Sequence, residues 1–270
     1  MLKAVLFVYN SEKPGAEEAA RRGLRWCERR GIRAEMTPRR RFFVEEADLV
    51  VAIGGDGTLL RVAAELYPRE IPILGVHTGS LGFLTACEAE AIEPALEELA
   101  AGRACLERRL RLEVEGQDVT ALNDVVVVGP AEARFTELEV WADGEPLMTL
   151  SGDGVVVASP TGATAYALAC GASVLHPGVA CLLVAPVAPH QLDVRPVILP
   201  EDVEVRIRAL YPADVRLDGD RLTALAPEGE IVVRAAPSPT LLVRLPGEES
   251  FFTRLRRKLG WARGPEGREI

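Results

Sequence analysis

The spacing of apolar and polar positions divides the chain near residue 103. Before that point, short runs that are apolar on both faces alternate with segments that carry one apolar stripe. Lys3–Tyr9 predicts a strand, and Ala16–Arg30 an amphipathic helix with Ala20, Leu24 and Cys27 on one face and Gly31 at its end. Asp48–Ile53 predicts a second strand and Thr58–Tyr67 a helix closed by Pro68. Ile71–Val76 predicts a third strand, and Pro94–Ala101 a helix with proline near its start and Gly102 at its end. Strands buried on both faces and separated by helices form parallel sheets with right-handed crossovers. Residues 1–103 therefore predict a Rossmann-like α/β domain.

The period then shortens. Between residues 104 and 245, "LRLEVEG", "ALNDVVVVG", "FTELEVWADGEPL", "GVVVAS", "CLLVAPV", "EVRIRA", "VRLDGDRL", "EIVVRA" and "TLLVRL" follow one another as short strands. "ADGE" and "LDGD" are Asp-Gly hairpin turns, and Asp218 and Asp220 are assigned mainly to that geometry. One helix, Thr161–Cys170, interrupts this β-rich, sandwich-like domain. Residues 246–270 hold a short amphipathic helix, "ESFFTRLRRKLGWA", expected to pack back on the first domain with its basic face in water.

Bulk composition narrows the classes. The 270 residues are 48% hydrophobic and 26% charged, as in soluble globular proteins. A formal net charge of −9 argues against a nucleic-acid or anionic-membrane partner. No apolar run approaches the roughly 20 residues that span a bilayer. "MLKAVLFVYN" reads as a first strand and not as a signal peptide. The five cysteines are scattered without a CxxC, so free thiols in a reducing cytoplasm are expected. The three histidines make no metal-ligand spacing with them. Asparagine occurs only twice, which makes Asn123 informative.

Four stretches carry candidate chemistry. "VVAIGGDGTLL", 50–60, runs from a strand end through glycines into a helix, the place where open parallel sheets bind ligands. Glycines admit phosphate oxygens to backbone N–H groups, and a helix N-terminus adds positive potential. Asp56 is out of place in a phosphate cradle unless it meets a metal or receives a hydroxyl proton, and both suit phosphoryl transfer to an alcohol. Otherwise Asp56 caps the following helix. "GVHTGSLGFLT", 75–85, is a second glycine and hydroxyl loop after a strand, or an ordinary surface loop. "LNDVVVVG" puts Asn123 and Asp124 in an apolar strand context, where a ribose, a base or an internal network would satisfy them. "SGDGVVVASPTGATAYALACGAS", 151–173, offers Asp153 in a Gly-Asp-Gly turn and hydroxyls at Thr161, Thr164 and Tyr166.

The order and spacing of "GGDGTLL", "HTGSLGFLT", "ND", "GDG…SPTGATAY" and "PHQLDVRPVIL" resemble the NAD kinase family over roughly residues 48–200. The resemblance implies a site between a Rossmann-like and a β-rich domain, in a homodimer or homotetramer whose neighbouring subunit completes it. It implies ATP and NAD as substrates and Mg2+ held mainly by substrate phosphates, with no metal-ligating residues. Asp56 would accept the proton of the adenosine-ribose 2′-hydroxyl, and Gly57 would lie beside the dinucleotide. Gly54, Gly55 and Thr58 would shape the phosphate site, and Arg61 would contact a phosphate. Asn123 and Asp124 match the pair that holds nucleoside hydroxyls and base. Arg134 falls where a basic dinucleotide contact is expected. Asp153 matches a carboxylate at a base or the nicotinamide end. Thr164, Ala165, Tyr166, Ala167, Leu168 and Ala169 match the segment that wraps the nucleoside, and Ala188 lines the pocket. His77 stands where the family usually has Asn, and Asp124 where it usually has Glu, one methylene longer. Ala158 and Ala163 each cost a hydroxyl. Two other readings compete: a diacylglycerol-type lipid kinase, weakened by Arg61 just after the glycine motif, and a module that senses NAD(P) without turnover.

Overall fold

The computed structural model describes residues 2–39, 46–133 and 135–261. In chain order the strands and helices are β1 (Ala4–Tyr9), α1 (Ala16–Glu28), β2 (Arg33–Pro38), β3 (Leu49–Gly54), α2 (Asp56–Leu66), β4 (Ile73–His77), β5 (Cys87–Glu88), α3 (Ile92–Ala100) and β6 (Cys105–Arg109). There follow β7 (Leu112–Val114), β8 (Thr120–Ala121), β9 (Asp124–Val128), β10 (Thr136–Ala142), β11 (Glu145–Gly152), β12 (Gly154–Ala158), α4 (Tyr166–Ala169) and β13 (Cys181–Val187). The chain ends through β14 (Val197–Pro200), β15 (Val205–Ala209), β16 (Ala213–Leu217), β17 (Asp220–Leu225), β18 (Gly229–Ala235), β19 (Thr240–Arg244) and α5 (Phe251–Lys258). Two compact units result: residues 1–108 with 241–270, and residues 109–240.

The first unit is a seven-stranded sheet in the order β2-β1-β3-β4-β19-β6, with β5 also on β4. The pairs of β1 with β2 and β3, of β3 with β4, and of β4 with β19 and β5 are parallel. β3 is buried at every position, as its unbroken "LVVAI" run requires. Phe7, Trp26, Ile53, Leu74, Ile92 and Leu96 are among the core side chains between the sheet and its helices. Each such burial contributes roughly 1.5–3 kcal/mol. β2 has no counterpart in the hydrophobic pattern. It is an edge strand whose positions are exposed or half-buried, so its place comes from pairing with β1 and not from an apolar run.

The second unit is a sandwich of two six-stranded antiparallel sheets, β11-β10-β15-β18-β7-β8 and β14-β13-β12-β9-β16-β17. Alternate residues of both sheets, such as Val125, Val127, Leu138, Val140, Val155, Val157, Ile207 and Val215, fill the space between them. The predicted Asp-Gly turns are present, with Asp143 and Gly144 at φ 48° and 80° and Asp218 and Gly219 at 48° and 90°. The outer face of the second sheet is covered by residues 159–175: Val126, Val156, Leu183 and Ala185 meet Ala163, Ala167 and Leu175. The helix expected over Thr161–Cys170 is instead a 3-10 turn at Gly162–Thr164 followed by α4. Ala165, at φ −103° and ψ −127°, breaks the helix between them. No helix among the described residues is long and apolar enough to cross a membrane.

Candidate active site

In the first unit, β3 ends on two glycines that only glycine would suit. Gly54 and Gly55 take φ of 152° and 153°, and a Cβ on Gly54 would lie 2.5 Å from Thr58 Oγ1. Thr58 is itself buried beneath this turn, so it contributes to the turn's shape. The Thr58 and Leu59 N–H groups donate to the Gly55 carbonyl at 3.0 and 3.1 Å and start α2. Asp56, at the first turn of α2, makes no cap bond to it. Its two carboxylate oxygens instead accept from the N–H groups of Phe83 at 2.8 Å and Leu84 at 3.1 Å. The capping alternative for Asp56 is therefore set aside. The two glycine loops meet: the Thr78 hydroxyl donates to the Gly54 carbonyl at 3.4 Å, and Gly82 lies against Asp56. Gly57 and Arg61 are exposed on α2.

In the second unit, a pocket of about 490 Å³ is lined by Asn123, Asp124, Val126, Val128, Ala165, Tyr166, Arg216, Asp218 and Gly219. Four residues predicted from sequence, Asn123, Asp124, Ala165 and Tyr166, come together here. The chain packs tightly at its base. A Cβ on Gly162 would fall 2.0 Å from the Asn123 carbonyl oxygen, and the Ser159 N–H donates to that same oxygen at 2.8 Å. Asn123 is thus fixed by the "SPTG" turn.

Asp218 does more than turn the hairpin, which corrects the expectation for it. Its carboxylate accepts from the N–H groups of Leu122 at 2.8 Å, Asn123 at 2.7 Å and Asp124 at 3.2 Å. Burial raises its pKa, while those three amides and Arg111 oppose the rise. Arg111 is fully buried and donates to the Thr120 and Thr240 hydroxyls at 2.6 and 2.7 Å. Asp124 is buried too, and burial first, then the Asp218 charge, push its carboxyl up to about 7, against the N–H of Tyr166. The pocket floor therefore offers a carboxyl that changes state near neutral pH, able to donate when protonated and to accept when ionised.

Asp153, Thr164, Ala167, Leu168, Ala169 and Ala188 are not among the lining residues of this pocket. The Asp153 N–H donates to the Val187 carbonyl at 3.0 Å, which puts Asp153 and Ala188 side by side at the ends of β12 and β13. Both are exposed. The Asp153 charge contributes to raising the Tyr166 phenol, after burial and Cys170. Thr164 donates to the Thr161 carbonyl at 3.3 Å, and Leu168 is half-buried. Ala167 is buried against the sheet and Ala169 is exposed. Arg134 lies outside the described residues. Sequence reasoning did not find Arg216, a lone cation on the outward face of a β-strand. Nor did it find Gly82 and Arg254, whose roles depend on chain segments far apart in sequence.

A strand, glycine loop and helix that present a fixed carboxylate, together with a pocket that offers Asn123, Asp124 and Tyr166, define a nucleotide-dependent phosphotransferase. Two family models match, the ATP-NAD kinase N-terminal domain over residues 35–104 and the ATP-NAD kinase C-terminal domain over 122–245. The chain belongs to the NAD kinase family. It is 42% identical to the NAD kinase of Gemmatimonas aurantiaca over 233 residues, covering 82% of this chain and 80% of the relative. It is 38% identical to that of Heliobacterium modesticaldum over 274 residues, 93% of this chain and 96% of the relative. An NAD kinase from Archaeoglobus fulgidus solved in complex with ATP aligns with TM-score 0.83 and 26% identity, covering 96% of this chain and 99% of that one. Yeast NADH kinase, solved with NADH, has the same fold, with TM-score 0.86 at 24% identity over 96% of this chain and 88% of its own. The match across both halves selects an NAD kinase over a lipid kinase.

Proposed function

We propose that this chain transfers the γ-phosphoryl group of ATP, or of another phosphoryl donor, to the 2′-hydroxyl of the adenosine ribose of NAD, giving NADP. Asp56 carries the reading: a half-buried carboxylate at the C-terminal end of a parallel strand, at the mouth of a glycine loop, oriented by two backbone amides. Each of its oxygens has a lone pair left to take a proton. In the proposed step the ribose O2′ forms a bond to Pγ. The bond from Pγ to the bridging oxygen breaks, and the leaving nucleoside diphosphate takes that electron pair. The hydroxyl proton passes to Asp56 and then to solvent.

The Gly54–Gly55 turn and the start of α2 offer N–H groups to the phosphates, with Arg61 at the exposed side. Asn123 and Asp124 hold nucleoside hydroxyls and base, with the 164–169 segment, Asp153 and Ala188 around them. Among the described residues no group of three or more His, Cys, Asp or Glu is placed to hold a metal. Mg2+ carried by the substrate phosphates would neutralise charge during transfer. Exposed Phe135 and Tyr211, with ring centroids 6.3 Å apart, support self-association as a homodimer or homotetramer. Five free thiols support a cytoplasmic setting.

The test is Asp56→Asn, assayed with NAD, ATP and Mg2+ for NADP. Turnover is expected to fall by at least about a hundredfold with NAD affinity kept. Near-normal turnover would refute the proton-acceptor role. Tight NAD binding by the unaltered chain without any NADP would favour the sensing module instead.

A further inference from the structure

The basic face of α5 is not simply solvated, as the sequence pattern had suggested. Arg254, on that helix, is 3% exposed. One of its guanidinium nitrogens, Nη1, donates to three carbonyls of the second glycine loop: Gly82 at 3.3 Å, Phe83 at 3.4 Å, and Thr85. Its Nη2 pairs with Glu248, and its Nε donates to the Glu249 carbonyl at 3.1 Å. Arg244, on β19, donates to the Leu84 carbonyl at 3.4 Å and pairs with the same Glu248 at 2.8 Å. Phe251 adds a ring against Phe83, centroids 6.4 Å apart. Four consecutive carbonyls, 82 to 85, thus each meet a guanidinium from the last thirty residues.

These carbonyls share rigid planes with the groups that hold Asp56. The Gly82 carbonyl and the Phe83 N–H belong to one peptide unit, and the Phe83 carbonyl and the Leu84 N–H to the next. The two peptides that Arg254 grips by their oxygens are therefore the two that bind Asp56 by their nitrogens. A cation on the oxygen also polarises the unit and strengthens its N–H as a donor. The loop leaves no slack: a Cβ on Gly82 would fall 1.9 Å from Asp56 Oδ1. A buried cation is costly, and burial lowers the Arg254 pKa, with Glu248 opposing.

We propose that Arg254 is a positioning residue for phosphoryl transfer: it fixes the 82–84 peptides so that their amides hold Asp56 in the orientation that receives the hydroxyl proton. This rests on Asp56 being that acceptor. Substrate contact is not part of its role, so its loss should lower kcat and leave dinucleotide binding in place.

The experiment is a cycle in the full chain: Arg254→Met, Asp56→Asn and the double variant, with thermal midpoint, NAD affinity and kcat measured for each. Arg254→Met leaves Glu248 its Arg244 partner. Expected is a fall in kcat of at least about tenfold, since small misplacements of a reacting group cost up to about a hundredfold. NAD affinity should stay within about twofold, and in the Asp56→Asn background the further loss should be under about twofold. Gly82→Ala, which displaces the carboxylate directly, should give the same kcat-only pattern. If Arg254→Met does not stay folded, Arg254→Lys is carried through the cycle, because an ammonium cannot span the carbonyls a guanidinium does. The proposal is overturned if kcat is within about twofold of the unaltered chain, or if the loss is the same factor in both backgrounds. It is also overturned if the loss follows NAD affinity. A high rate in Asp56→Asn alone marks failure of the acceptor role, separately from the Arg254 step.

Discussion

Asp124 should make the folded state less stable as the solution becomes more alkaline, and Asp124→Asn should remove that dependence. In the fold its carboxyl rises from an ordinary 3.8 to about 7, chiefly because it is buried and secondarily because Asp218 is near. Between those values the folded chain keeps a proton on Asp124 that the unfolded chain has released. The folded state then binds more protons, so stability falls as pH rises through the window and is level above about 7. Each unit of the rise corresponds to about 1.4 kcal/mol, so the whole effect is roughly 4 kcal/mol. An amide at this position has no proton to lose. Any fixed cost of the substitution, such as a changed hydrogen bond to the Tyr166 N–H, is the same at every pH. Urea unfolding of both proteins at about pH 5 and about pH 8 isolates the effect as a difference of differences. The variant should gain roughly 3 kcal/mol on the unaltered chain between the two conditions. A gap that stays constant to within about 0.5 kcal/mol would refute the claim that burial penalises the Asp124 charge.

Two further outcomes follow from the same geometry. Gly162→Ala drives a Cβ to within 2.0 Å of the Asn123 oxygen, which should cost about 3 kcal/mol and lower the thermal midpoint by roughly 6–12 °C. An unchanged midpoint would show that the turn yields freely. Mild alkylation at neutral pH should label Cys105 first, because it is exposed while burial pushes the Cys27 thiol up to about 11 and the Cys87 thiol up to about 12. Peptide mapping by mass spectrometry reads the order, and labelling of Cys27 before Cys105 would contradict it.

Much of this was legible in the chain because several levels of pattern agree. The run "LVVAI" stopped by two glycines gives a buried parallel strand, a turn and a helix start, and the structure has all three. The Asp-Gly pairs announce their hairpins because φ above zero is costly for most other residues. What escaped was non-local. β2 is polar and sits at the sheet edge, so no periodicity marks it. The helix after Pro160 breaks at Ala165, a residue whose own propensity favours continuing it. Asp218 looked like a turn residue because turns use aspartate. Its second task, gathering three amides, depends on β16 lying beside β9. Arg254 looked solvated because an arginine on a short helix usually is. Only the meeting of α5 with the loop 171 residues earlier reveals its burial.

The sheet that presents Asp56 takes one of its inner strands, β19, from the far end of the chain, between β4 and β6. A ribosome making this protein therefore exposes the whole β-sandwich before it has supplied the piece that closes the first sheet. Until then the edge of β4 that β19 takes is paired only at Val76 and His77, through β5, and neither Arg244 nor Arg254 reaches the peptides around the aspartate. Synthesis that stops after residue 240 leaves the glycine loop intact in sequence and Asp56 without its anchor. Under the roles proposed for Asp56 and Arg254, competence for the reaction would arrive only once β19 and α5 are in place.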